Sequence, residues 1–117
     1  MSSLTVFVYG SLKRGFSNHA LLYGAAFLGE YVTPARYTMY DLGPYPAVSI
    51  GGETPISGEV FAVDGRILAA LDELEDYPQV YDRILVRTPF GRTWMYVMPI
   101  TSHPCVTDGF WRPAAGR

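Results

Sequence analysis

The sequence predicts an α+β domain built on a small mixed, barrel-like β-sheet with a few packed helices. Short runs rich in β-branched and aromatic residues alternate with glycine and proline, which is typical of strands. Only residues 64–76 show a clear helical period. Because strands outnumber helices, we expect a sheet that curls on itself. The 117 residues are 49% apolar, enough for one core, so we predict a single domain over residues 1–117.

The first half of the chain contains four predicted strands and one short predicted helix. The strands are Leu4 to Tyr9, Phe27 to Val32, Ala35 to Leu42 and Ala47 to Ile50. Asn18 is a candidate N-cap for a helix from His19 to Tyr23, which Gly24 closes. Residues 43–46, Gly-Pro-Tyr-Pro, predict a stiff corner, because each proline fixes its own φ and restricts the preceding residue.

The second half contains three further predicted strands around the one clear helix. The strands are Ile56 to Val63, Tyr81 to Thr88 and Thr93 to Met98. Asp64 is placed to cap a helix that runs to about Glu75, and Pro78 prevents it from continuing far. The last two strands flank Pro-Phe-Gly-Arg at 89–92, which predicts a hairpin. The tail beyond Met98 shows no clear period.

The predicted helix carries four carboxylates at its C-terminal end. Its apolar face is formed by Ile67, Leu68, Leu71 and Leu74, and its acidic residues are Asp72, Glu73, Glu75 and Asp76. At about 100° per residue, Glu73 and Asp76 point away from the leucines. Glu75 lies on the same face as Leu68 and Leu71, because it follows them at helical spacing. The helical period therefore predicts that Glu75 faces inward.

An inward glutamate has chemical consequences. Loss of hydration raises its pKa toward the range useful for a general acid or base. The helix dipole near the C-terminus disfavours a negative charge and acts in the same direction. Two structural interpretations stay open: the helix ends before Glu75, or Glu75 pairs with a buried arginine such as Arg83.

The loop after the first strand, Tyr9-Gly10-Ser11-Leu12, is the second candidate feature. Backbone amides at such a strand exit are free to converge on a carboxylate or an oxyanion. The loop is not a P-loop, since the Gly-Lys-Ser/Thr ending is absent, and Ser11 lacks the surroundings of a nucleophile elbow. The plain alternative is a loop with no function. Lys13 and Arg14, just beyond it, are expected in solvent, where they would attract an anionic substrate.

Composition argues against several classes of function. The formal charge is −2 and no run of Lys or Arg occurs, so we expect neither nucleic acid nor an anionic membrane as a partner. No signal-peptide pattern or spanning apolar run is present, and Cys105 is the single cysteine, so we expect a soluble, cytoplasmic protein. His19, His103 and Cys105 do not have the spacing of metal ligands, and we expect no metal and no cofactor.

Taken together, these segments resemble the γ-glutamylcyclotransferase-like (AIG2-like) family, close to its small bacterial-type and γ-glutamylamine members. The matching segments are residues 8–13 (Val-Tyr-Gly-Ser-Leu-Lys), Asn18, 43–46, 58–64 (Gly-Glu-Val-Phe-Ala-Val-Asp), 71–75 (Leu-Asp-Glu-Leu-Glu) and 81–83 (Tyr-Asp-Arg). Their order and spacing cover about Val6 to Met98.

The resemblance implies a metal-independent lyase or acyltransferase, which cyclises a small γ-glutamyl amine or peptide to 5-oxoproline and releases an amine. It places the catalytic glutamate at Glu75 and the substrate-binding loop at Tyr9, Gly10, Ser11 and Leu12. Tyr96 and Arg83 are further pocket candidates, although Tyr96 also fits the core. Arg83 also fits an ion pair with Asp72 or Glu59.

Two other functions stay open at this point. A non-catalytic module of the same fold would bind a small amine or carboxylate without turnover. An enzyme of similar fold would act on a different amide. Neither the leaving amine nor the oligomeric state follows from the sequence.

Overall fold

The computed structural model describes residues 4–100 and 102–112. The predicted domain over 1–117 also includes residues 1–3, 101 and 113–117, which lie outside this range. The strands are β1 (Leu4–Val8), β2 (Ala26–Val32), β3 (Tyr37–Asp41), β4 (Pro46–Ile50), β5 (Ser57–Val63), β6 (Asp82–Thr88) and β7 (Gly91–Val97). The helices are α1 (Gly65–Leu74) and a 3-10 helix at His19–Leu22.

Strand β1 lies at the centre of a five-stranded sheet with the order β2-β5-β1-β7-β6. It pairs antiparallel with β5 and parallel with β7, so the sheet is mixed. Val6, Phe7 and Val8 are buried, as the run of apolar residues requires for a strand covered on both faces. The loop that leaves β1 therefore emerges from the middle of the sheet, where neighbouring elements surround it.

The α+β class and the mixed sheet are confirmed, but the sheet does not close into a barrel. Among the described residues, β2 and β6 form its two edges and do not pair with each other. The corner at 43–46 instead directs β3 and β4 into a separate two-stranded sheet. Its residues Met39 and Val48 are fully buried, and the backbone of Val48 accepts a hydrogen bond from Met98 at 2.9 Å.

Helix α1 begins as the sequence predicts. The Asp64 carboxylate accepts a hydrogen bond from the backbone amide of Ile67 at 2.8 Å, which satisfies a free donor of the first turn. Leu68 and Leu71 are buried in the core beside β1. The helix has ten residues, and no helix within 4–100 and 102–112 is long and apolar enough to cross a membrane.

The second predicted helix is shorter than expected. The segment from His19 is a four-residue 3-10 helix, and Asn18 makes no side-chain cap to it. The Asn18 amide instead donates to Ser11 Oγ at 2.9 Å. Asn18 therefore braces the loop after β1 rather than the helix that follows it.

Candidate active site

A cavity of about 140 Å³ opens where β1 ends. Its walls come from the β1 exit, the corner before β4, the end of α1 and two tyrosines of the β6–β7 region. The lining residues are Phe7, Val8, Tyr9, Gly10, Ser11, Leu12, Asn18, Tyr45, Pro46, Leu74, Glu75, Asp76, Val80, Tyr81 and Tyr96. A cavity of roughly this volume holds a ligand of the size of benzene. The structure thus brings Glu75 and the Tyr9–Leu12 loop to one small cavity.

Glu75 occupies the C-cap position of α1. Its backbone amide still donates to the carbonyl of Leu71 at 3.0 Å, so the side chain keeps the helical phase and projects into the cavity. Within the described ranges its carboxylate has no hydrogen bond or ion pair. Burial raises the pKa of Glu75 to about 7, and the neighbouring charge of Asp76 adds to the effect. Glu75 can therefore both take and return a proton near neutral pH.

Asp76 lines the same cavity, which contradicts the helical-phase prediction that it points away. The helix ends at Leu74, and Asp76 has a φ of 52°, in the left-handed region. This turn of the backbone redirects its side chain, because positions beyond the last helical residue no longer follow 100° steps. Asp is among the few residues other than glycine that tolerate this conformation.

The Tyr9–Leu12 loop presents free backbone amides to the cavity. The carbonyl of Gly10 accepts a hydrogen bond from Lys13 at 3.1 Å, which closes a tight turn. In contrast, the amides of Gly10, Ser11 and Leu12 donate no hydrogen bond to any described residue. Three free donors next to a cavity form a site suited to a carboxylate or an oxyanion.

Gly10 is required by close packing. A Cβ atom at this position would lie 2.7 Å from Cδ of Pro46, and such contacts do not occur without movement. The glycine thus lets the loop lie directly against the corner that precedes β4.

The loop is held from behind by Asn18 and His19. The backbone amide of Asn18 donates to the carbonyl of Ser11 at 2.9 Å, and His19 Nδ1 lies 2.9 Å from the carbonyl of Leu12. These bonds occupy the carbonyl groups of Ser11 and Leu12, whereas the amides of the loop have no partner among the described residues.

Three of the four tyrosines that line the cavity are buried, and each of their hydroxyl groups donates to an acceptor within the protein. Tyr9 donates to the carbonyl of Tyr96 at 2.8 Å, and Tyr81 donates to the carbonyl of Pro46 at 2.7 Å. Tyr96 donates to Asp72 Oδ1 at 2.7 Å. Burial raises the pKa of all three, so they are uncharged at neutral pH. The prediction that Tyr96 borders the pocket agrees with its position.

Arg83 does not line the cavity, so its prediction as a pocket residue is wrong. Its Nε and Nη2 atoms donate to the two carboxylate oxygens of Asp72 at 2.9 and 3.1 Å. The guanidinium also lies over the rings of Tyr77 and Trp94. Because Asp72 occupies Arg83, the alternative in which Arg83 neutralises Glu75 is also wrong.

Lys13 is buried, contrary to the expectation that it lies in solvent. Its ammonium group donates to the carbonyl of Trp111 at 3.1 Å and lies 4.0 Å from the centre of the Phe110 ring. Arg14 is exposed, as expected, and its backbone amide donates to the carboxylate of Glu59 at 2.8 Å. Both residues connect the far side of the loop to the rest of the fold.

Several cavity residues were not singled out as site residues from the sequence. Tyr45 and Pro46 belong to the corner at 43–46. The sequence predicts that this corner is stiff, but it does not predict that the corner lies against the loop after β1. Tyr81 belongs to one of the segments that resemble the family, residues 81–83, but the resemblance gives it no function. Within residues 4–100 and 102–112, no group of three or more His, Cys, Asp or Glu residues is arranged to hold a metal ion.

Comparison with known proteins assigns the family. A family model described as "Gamma-glutamyl cyclotransferase, AIG2-like" matches residues 6–113. The chain belongs to this family. The match extends past Met98, so the C-terminal segment through residue 112 is part of the family's domain. The buried Trp111 and its bond with Lys13 explain why this segment has to be present.

Two members of this family are similar over nearly their whole lengths. A Vibrio cholerae protein named "Putative gamma-glutamylcyclotransferase" is 44% identical over 108 residues, which cover 91% of this chain and 93% of the relative. The Escherichia coli (strain K12) protein named "Gamma-glutamylcyclotransferase family protein YtfP" is 36% identical over 110 residues, with 92% and 96% covered.

Solved structures show the same fold. The solution structure of Escherichia coli YtfP has a TM-score of 0.74 at 36% identity and covers 92% of this chain and 96% of its own. A crystal structure from Pyrococcus horikoshii has a TM-score of 0.80 at 28% identity, with 92% and 89% covered. These two proteins thus share the α+β fold of this chain.

Proposed function

We propose that the protein is a γ-glutamylcyclotransferase that converts a γ-glutamyl amine or peptide into 5-oxoproline and a free amine. Membership of the family supports this reaction class. The observation that carries the proposal is the carboxylate of Glu75, which has no partner among the described residues, has a raised pKa and lines the same small cavity as the Tyr9–Leu12 loop.

In the proposed reaction, Glu75 moves one proton. The α-ammonium group of the substrate gives a proton to the Glu75 carboxylate, and the neutral amine attacks the γ-carbonyl carbon. The new bond joins the α-nitrogen to that carbon, and the bond to the leaving nitrogen breaks. Glu75 then gives its proton to the leaving nitrogen, and the ring nitrogen, which still carries one extra proton after the attack, loses that proton to water. A pKa of about 7 suits both transfers at neutral pH.

The loop amides supply the complementary charge stabilisation. Negative charge develops on the γ-carbonyl oxygen during attack, and fixed N–H donors lower the energy of that state. The amides of Gly10, Ser11 and Leu12 are available for this oxygen or for the α-carboxylate of the substrate. The cavity has room for the glutamyl part, and holding it bent brings the amine and the carbonyl together.

No metal or cofactor takes part in the proposed steps, because the attacking amine and the carbonyl belong to one molecule. A binding module without turnover would use the same cavity, but binding alone would not explain the raised pKa of the Glu75 carboxylate. The cytoplasmic location stays a prediction.

The test is release of 5-oxoproline from a panel of γ-glutamyl amines and peptides. We expect Glu75→Gln to lower kcat/KM by about 10²- to 10⁴-fold, the usual contribution of a general acid–base group. Glu73→Gln removes a charge from the exposed side of the same helix and should keep wild-type activity. Absence of release by the wild type, or equal activity of Glu75→Gln, would refute the proposal.

A further inference from the structure

The cavity has a closed end, lined by buried residues, and a mouth, lined by exposed residues. Val8, Tyr9 and Leu12 at the β1 exit are at most 6% exposed and form the closed end. Tyr45 and Val80 are 45% and 47% exposed and border the solvent side. If the proposed function holds, the glutamyl part occupies the closed end beside the loop amides. The leaving group then passes between the exposed residues.

The mouth has an asymmetric charge. The carboxylates in its wall are those of Glu75 and Asp76, and no Lys, Arg or His is among the residues that line the cavity. The nearby cations are occupied elsewhere: Arg83 pairs with Asp72, and Lys13 binds the carbonyl of Trp111. An anionic leaving group would therefore find no counter-ion within the described part of the wall.

Asp76 is the exposed member of the acidic pair, and its charge acts inside the cavity. Its side chain is exposed, whereas that of Glu75 is partly buried. Both side chains line the same cavity, and the charge of Asp76 adds to burial in raising the pKa of Glu75. The φ of 52° at Asp76 turns the backbone directly after α1, and its side chain lies in the cavity wall.

We propose that Asp76 selects the leaving group by charge, so that the enzyme prefers γ-glutamyl amides of cationic or neutral amines over those of amino acids with a free carboxylate. This inference rests on the proposed function and names its substrate class. The apolar side chains of Tyr45, Leu74 and Val80 would contact the carbon chain of the amine. Asp76 would attract a positive group beyond it and repel a carboxylate.

Three compounds of similar size test the proposal. They are γ-glutamyl-ethylenediamine, γ-glutamylglycinamide and γ-glutamylglycine, whose leaving amines are cationic, neutral and anionic at their far ends. Coulomb's law at a partly solvated site predicts that kcat/KM for the cationic compound exceeds that for the anionic one by about tenfold or more. Added salt should reduce this ratio, because Asp76 is exposed.

The decisive variant is Asp76→Asn, which keeps the side-chain shape and tolerates a positive φ. We expect it to reduce the ratio to about threefold or less. Comparing ratios within one protein removes any common effect on the pKa of Glu75. Glu73→Gln, which removes the same charge from the outer face of the helix, should leave the ratio unchanged.

Calorimetric binding of the same compounds separates this proposal from the proposed function. Binding in the predicted order without any 5-oxoproline release would refute the cyclotransferase activity and keep the charge selection. Turnover of all three at equal kcat/KM, or an unchanged ratio in Asp76→Asn, would overturn the charge selection and keep the activity. Failure to bind or turn over any of them would overturn both.

Discussion

Two carboxylates one turn apart near the end of α1 have opposite surroundings. Asp72 accepts hydrogen bonds from Arg83 and from the hydroxyl of Tyr96, so both of its oxygens have partners. Glu75 has none among the described residues, and burial raises its pKa to about 7. Asp72 fastens the helix to β6 and β7, whereas Glu75 borders a cavity.

The comparison shows that two carboxylates on the same helix can have different roles, one in stability and the other in reactivity. The Asp72 network uses Arg83, so among the described residues no cation is paired with Glu75 to hold it ionised. A free carboxylate in a partly buried position is a cost to the folded state, and such costs are typical of functional sites. The following predictions test this division, from the largest expected effect to the smallest.

Asp72→Asn should lower the free energy of unfolding by about 3 kcal/mol, because it leaves Arg83 without a counter-charge in a mostly buried position. The new amide N–H group would also face the donors of the guanidinium. Chemical denaturation measures the difference, and Glu73→Gln, on the exposed side of the helix, is the control. A loss as small as that of the control would show that the ion pair contributes little.

Glu75 should make the stability of the wild type fall as the pH rises. Its folded pKa is raised from an ordinary 4.5 to about 7, so between these values the folded state binds more protons than the unfolded state. The free energy of unfolding should therefore fall by about 2 kcal/mol between pH 4.5 and 7, a value that allows for the partial exposure of the carboxylate. Glu75→Gln lacks this group and should gain stability relative to the wild type over that range.

Denaturation of both proteins at several pH values measures this gain. Asp76 is the carboxyl group beside Glu75, while Tyr9, Tyr81 and Tyr96 stay uncharged because burial raises their pKa. Parallel stability curves for the two proteins from pH 4.5 to 7 would contradict a raised pKa at Glu75.

Tyr96→Phe should cost about 1 kcal/mol of stability, the usual contribution of one hydrogen bond, because Asp72 keeps both bonds from Arg83. The double variant with Asp72→Asn should show coupling between the two sites. If Tyr96 acts in the reaction rather than in the Asp72 network, the variant would lose activity without this loss of stability.

Much of the fold could be predicted from the sequence, because local rules determine it. Seven strands, the Asp64 cap and the inward face of α1 follow from alternation, capping and helical period. The barrel was not correct, because closure depends on whether β2 and β6 meet, and no local pattern specifies that pairing. The helix at His19 begins where it was predicted but is a 3-10 helix that ends at Leu22, and its predicted Asn18 cap was wrong, because the Asn18 amide donates to Ser11 instead.

At the site, the helical period alone singled out Glu75, and the loop gained its role from resemblance to a family. The helical period predicted the position of Asp76 wrongly, because Asp76 follows a backbone turn after the last helical residue. Arg83 had three carboxylate partners open to it in the sequence, Glu59, Asp72 and Glu75, and only the packing of β6 against α1 selected Asp72.

The sequence by itself determined that Glu75 would face inward, since 100° steps on a helix are a local property. The tertiary structure decided that this carboxylate would share a cavity wall with the Tyr9–Leu12 loop and would have no cation beside it among the described residues. Such an arrangement depends on contacts between the ends of β1, α1 and β7, which are distant in the chain and have no local signature. The loop and Glu75 are thus brought together by the sheet order, with β1 at its centre.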